Sequence, residues 1–131
     1  LGHESPVNRT GDVCVPRARI PALLRGVHEL GQRLDIRALC FGHAGDGNVH
    51  VNFLKGELAE QDWEERLPRA ERELFGLALS LGGTITGEHG IGATRGWFLA
   101  EAVGERPLEL MRRIKCAFDP KGILNPGKIF P

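Results

Sequence analysis

The chain has 131 residues, 41% of them hydrophobic and 26% charged, with 17 Lys plus Arg against 17 Asp plus Glu. That length and mix suit one soluble domain of ordinary size, and the balanced charge removes the electrostatic reason to expect a nucleic-acid partner. No apolar run approaches the roughly 20 residues of a membrane-spanning helix.

The polar start, LGHESPVNRTGD, has no signal-peptide core. Cys14, Cys40 and Cys116 are widely spaced and form no CxxC pair. They read as buried thiols of a reducing compartment, neither a disulfide framework nor a cysteine metal site. The expected location is the cytoplasm, including the inner face of a membrane as a peripheral protein.

In chain order, residues 1 to 11 read as a loop. Residues 12 to 16, DVCVP, read as a strand closed by proline. Apolar positions 20, 23, 24, 27, 30 and 34 recur at helical spacing, with Pro21 suited to a first turn. Residues 36 to 41 and 49 to 54 read as two strands joined by the turn AGDG. A long helix is expected over 60 to 81, with Pro68 as a point of kinking or division. Gly82-Gly83 stops it, and residues 84 to 86 read as a last short strand. This order is βαββαβ, so the expected fold is α+β: a ferredoxin-like antiparallel sheet with two helices on one face. After it come a glycine-rich stretch, GEHGIGATRG, helices near 95 to 102 and 107 to 117, and an ordered coil tail, DPKGILNPGKIFP.

The stretch FGHAGDGNVH carries the chemistry. On one straight strand, His43 and His50, seven apart, would face opposite ways. A two- or four-residue turn at AGDG instead pairs His43 with Asn48. Asn48, His50 and His43 then share one face, with the diagonal pair roughly 7 Å apart. A three-residue loop would break this register. Glu88 and His89 follow the last strand between Gly87 and Gly90. Two imidazoles and one carboxylate form a common donor set for zinc or a similar divalent ion. Glu88 is the natural third ligand, which leaves His89 as a general base. Asn48 is the candidate to contact substrate. His3 and His28 have no local partners and read as structural. Asp46 fits a turn residue better than a ligand. The glycines at 87, 90 and 92 fail the GxGxxG test because Arg95 stands at the third position.

Three segments, FGHAGDGNVHVNF, GGTITGEHGIGATR and FDPKGILNPGKIF, resemble in order and spacing the C-terminal domain of FAD-linked oxidases and dehydrogenases. That group includes the glycolate oxidase catalytic subunit, D-lactate dehydrogenase and D-2-hydroxyglutarate dehydrogenase. DVCVPRARIPALL is similar to its strand-to-helix entry. The resemblance implies a cap domain over a flavin held by an N-terminal domain, and oxidation of a small 2-hydroxy acid. It implies zinc or manganese on His43, His50 and Glu88, a proton-accepting His89, and Asn125 near the flavin. Asn125 reads equally well as a turn residue before Pro126. On this view the chain is a single partial domain: a ferredoxin-like unit over 12 to 88, then loop, helices and tail over 89 to 131. The FAD-binding domain is missing, and the piece alone is inactive. Its partners would be that domain, the substrate and an electron-acceptor subunit, and its uncovered apolar surface predicts self-association. Arg95 replaces a frequent Lys, and Thr10 stands where 2-hydroxyglutarate members tend to carry Lys, which favours glycolate or D-lactate. Two other readings remain open here: a His-His-Glu hydrolase-like metal module, and a non-catalytic ferredoxin-like interaction domain.

Overall fold

The computed structural model describes residues 7–130. His3 and the first six residues of the expected N-terminal loop lie outside this range. The chain divides into two compact units, Leu1–Glu88 and His89–Pro131.

The first unit is α+β. Strand β1 (Asn8–Cys14) leads through a short 3-10 turn (Arg17–Arg19) into helix α1 (Ile20–Leu34). Strands β2 (Arg37–His43) and β3 (Asn48–Leu54) form a hairpin, and helix α2 (Glu60–Ser80) follows. The sheet is antiparallel with order β1-β3-β2, consistent with the ferredoxin-like arrangement. Two expectations need correction. Residues 8–11 belong to β1, not to a loop. The expected strand over 84 to 86 shrinks to one bridge between Cys14 and Thr84. The Cys14 and Thr84 backbones exchange both hydrogen bonds, at 3.2 and 2.8 Å. After Thr84, the backbone N–H groups at 87 and 88 turn instead to a side chain of β1.

Period-two alternation gives the sheet two distinct faces. Val13, Val51 and Phe53, fully buried, lie on the face that α1 and α2 cover. The helices present Leu23, Val27, Leu30 and Leu34, and Trp63, Leu67, Ala70, Leu74 and Ala78, to the core. Gly11 sets the depth of this packing: a Cβ there would meet the Leu74 Cδ2 at 2.5 Å. Pro68 sits inside α2 without dividing it. Helix α1 ends at Asp35, whose left-handed φ of 48° is tolerated by its short polar side chain. Arg66 of α2 donates to both the carbonyl and the carboxylate of Asp35 at 2.8 Å. The cysteines correct another expectation. All three are free, but Cys40 and Cys116 are exposed and Cys14 is half-buried.

The second unit holds helices α3 (Gly96–Val103) and α4 (Glu105–Phe118). Gly104, at φ 80°, turns the chain between them. Leu110, Met111, Ile114 and Phe118 give α4 an exposed apolar face. No helix among the described residues is long and apolar enough to cross a membrane. The tail is an ordered coil, as its prolines and glycines suggest, and Asp119 organises it. Its carboxylate accepts from the Ile123 and Leu124 N–H groups at 3.0 and 2.9 Å and from the Lys115 ammonium. The Lys115 hydrogen bond, helped by those two N–H groups, holds the Asp119 carboxyl below the usual carboxylate range. A depressed carboxylate stabilises the fold above its unfolded value and loses that effect as pH falls through its folded value. Asp119→Asn should therefore lower the thermal midpoint at pH 7. The gap to wild type should close as pH falls below about 3.9, the ordinary aspartate value. Circular dichroism melts at both pH values test this.

Candidate metal and substrate site

The turn Ala44–Gly47 has four residues, and His43 pairs with Asn48. The Asp46 and Gly47 N–H groups close it onto the His43 carbonyl at 3.0 and 3.1 Å. Gly47 adopts φ 78°, and a Cβ there would stand 2.0 Å from the Val15 carbonyl oxygen. Only glycine fits both constraints. The register puts Asn48, His50 and Asn52 on the sheet face opposite the helices. Thr10, Asp12 and Cys14 flank them on β1, and Leu39, Phe41 and His43 on β2.

His43, His50 and Glu88 converge. The His50 Nε2 lies 3.0 Å from the Glu88 Oε1, and the His43 Nε2 lies 3.9 Å from the same oxygen. The two rings meet edge to face with centroids 5.8 Å apart. Phe41 packs against His50 at 5.2 Å. The His50 side chain is only 7% exposed, whereas His43 and Glu88 are half open at 58% and 50%. One wall of the cluster is thus fixed in the sheet and the other faces solvent. Two imidazole nitrogens around one carboxylate oxygen fit a divalent ion of the zinc type in donor chemistry.

Asp12 is a member of this cluster that sequence reasoning passed over. Asp12, His50 and Glu88 each offer an atom within 4.8 Å of the others. The Asp12 carboxylate is fully buried. Its Oδ1 lies 3.5 Å from the His50 Nδ1. Its Oδ2 accepts from the Thr86 hydroxyl and from the Gly87 and Glu88 N–H groups at 3.0, 2.9 and 3.0 Å. Asn52 was also passed over. The Thr10 hydroxyl donates to its Oδ1 at 2.5 Å. Its Nδ2, deeply buried, has no hydrogen-bond partner among the described residues. The alternation that picks out Asn48 and His50 extends to Asn52, so the signal was present in the sequence.

Asn48 is buried, and its Oδ1 has no hydrogen-bond partner among the described residues. Its amide rests against the backbone of Gly87, where a Cβ would stand 2.3 Å from Oδ1. His89 follows Glu88 directly, is exposed, and opens the second unit. Arg95, buried, donates to the Gly90 carbonyl at 3.0 Å. Asn125 is exposed with a left-handed φ of 48°, and its carbonyl accepts from the Lys128 N–H at 3.3 Å, which is turn geometry. Asp46 sits in the turn and His28 is exposed on α1.

Gly87→Ala tests the close approach to Asn48. Overpacking there should cost about 1–3 kcal/mol in urea unfolding. Adding Asn48→Ala should recover most of that loss, because it removes the oxygen that the new methyl meets.

Comparisons with known proteins identify the family of the chain. The family model "FAD linked oxidases, C-terminal domain" matches residues 1–129. The glycolate oxidase subunit GlcD of Bacillus subtilis is 38% identical over 130 residues, which is 99% of this chain and 27% of that protein. A D-lactate dehydrogenase of Archaeoglobus fulgidus is 48% identical over 118 residues, 90% of this chain and 26% of that protein. A D-2-hydroxyglutarate dehydrogenase of Stutzerimonas stutzeri is 33% identical over 133 residues, 99% of this chain and 28% of that protein. The chain spans about a quarter of the length of these relatives. It belongs to the family of FAD linked oxidases, C-terminal domain.

Proposed function

We propose that this chain is the substrate-facing part of an FAD-dependent oxidoreductase that oxidises a small 2-hydroxy acid, with glycolate or D-lactate favoured. The observation that carries the proposal is the convergence of the His43 and His50 Nε2 atoms on one Glu88 oxygen. We assign those three residues as ligands of zinc or manganese. The bound ion would supply a Lewis acid for the hydroxyl oxygen and carboxylate of a 2-hydroxy acid. FAD, held by the rest of such a protein, would supply the hydride acceptor.

The residues of this chain account for binding and proton removal. Asn52 offers a buried amide N–H on the face that bears His50. Asn48 offers a buried carbonyl oxygen on the same face. His89 is next to Glu88 in the chain, and we assign it as the base that takes the proton from the 2-hydroxyl group. The C2–H bond then breaks as hydride leaves, and the product is the 2-oxo acid. Thr10 supports the smaller substrates, because its neutral hydroxyl is engaged with Asn52 and offers no cation to a second carboxylate.

Calorimetric titration of the chelator-stripped chain with zinc tests the ligand assignment. The expected result is stoichiometric binding that His43→Ala abolishes. A folded chain that ignores zinc would reject it. In the whole flavoprotein, His89→Ala should slow anaerobic flavin reduction by about 10²–10⁴-fold while FAD stays bound. An unchanged reduction rate would remove His89 from the base role.

A further inference from the structure

We propose that Asp12 is a positioning residue that uses one buried carboxylate to fix both the ring tautomer of His50 and the path of the Glu88 loop. The inference rests on the metal-site reading above for its purpose, though not for its geometry.

The two oxygens of Asp12 do different work. Oδ2 gathers three donors from Thr86, Gly87 and Glu88. These offset the large cost of burying a charged carboxylate. Oδ1 faces the Nδ1 of His50 at 3.5 Å. On the far side of the same ring, Nε2 faces Glu88 at 3.0 Å. Asp12 therefore stands against one side of the imidazole and, through the backbone, holds the residue that meets the other side. A neutral imidazole has one N–H. Asp12 keeps it on Nδ1 and leaves the Nε2 lone pair directed toward Glu88, where an ion would be held. Carboxylates commonly orient metal-binding histidines in this way.

Without an ion, Glu88 competes for the ring proton from the Nε2 side. Glu88 stands closer, at 3.0 Å against 3.5 Å, and against this Asp12 has full burial, where a charge interaction is screened less than at the half-exposed Glu88. Asp12 is not assigned as a ligand, because its Oδ2 is committed to the loop and its Oδ1 faces Nδ1.

Asp12→Asn separates positioning from mere anchoring. The amide oxygen can still accept from the 86–88 loop, but the amide NH2 then faces Nδ1 and must donate to it. The ring proton moves to Nε2 and blocks the lone pair. Nitrogen NMR of the metal-free Glu88→Ala chain, at a pH where the ring is neutral, reads this with Glu88 out of competition. The expected tautomer is Nδ1–H while Asp12 is in place and Nε2–H once Asp12→Asn is added. In chains that retain Glu88, Asp12→Asn should weaken zinc binding about 10–100-fold with the circular dichroism spectrum unchanged.

An Nε2–H tautomer with Asp12 in place would overturn the proposal. So would a loss of zinc affinity without a change of tautomer, which would make Asp12 a ligand. Equal affinity and tautomer in both chains would overturn it as well. A tautomer switch in chains that bind no zinc would keep the role of Asp12 and reject the metal-site reading. If Asp12→Asn does not fold, the tautomer with Asp12 in place decides.

Discussion

The pairing of His43 with Asn48 is the constraint on which the site depends. Strand side chains alternate, so a slip of one residue would turn His50 toward the helices and bring Val49 or Val51 to the polar face. Two physical terms oppose that slip. Val49, Val51 and Phe53 are buried on the helix face, and moving them into water would forfeit about 1.5–3 kcal/mol each. The turn itself is held by Gly47, whose φ and close approach to Val15 admit no other residue. The packing of the core and the chemistry of the opposite face are thereby set by one register.

Much of this was legible in the sequence because it depends on local spacing. The helical repeat in Leu23, Val27, Leu30 and Leu34 gave α1 its boundaries and its buried face. The even spacing of Asn48 and His50, with the length of the AGDG turn, brought His43 to the same side. Asp12 was not legible, because its partners are 74 to 76 residues away along the chain. An aspartate in a short β-rich run gives no local sign that a distant loop will wrap it. The extent of β1 was hidden for a related reason. Arg9 and Thr10 look like loop residues, yet Thr10 is polar because it faces the polar stripe of β3 and not because it is outside the sheet.

The loop after α2 shows how a strand can be given up for a site. Thr84 makes one bridge to β1, and Ile85 is buried. The chain then leaves the sheet edge, and the N–H groups of Gly87 and Glu88 that a strand would use for its ladder go to Asp12. The Gly87 and Glu88 N–H groups thus exchange one kind of partner for another. The exchange frees Glu88 to stand beside both histidines, and the missing side chain of Gly87 lets Asn48 come close beneath it.

Gly11 and Asp12 are neighbours that face opposite sides of one strand. Gly11 lets Leu74 come down onto the sheet, and on the reverse Asp12 faces His50 and holds the Glu88 loop. Core and polar cluster are separated here by the thickness of a single backbone. A change in volume at Leu74 bears directly on β1 at Gly11, the residue next to Asp12. Efforts to stabilise this chain by refilling its interior at Leu74 therefore press on the strand that carries Asp12. Substitutions meant to leave that strand undisturbed belong near α1, which packs against β2.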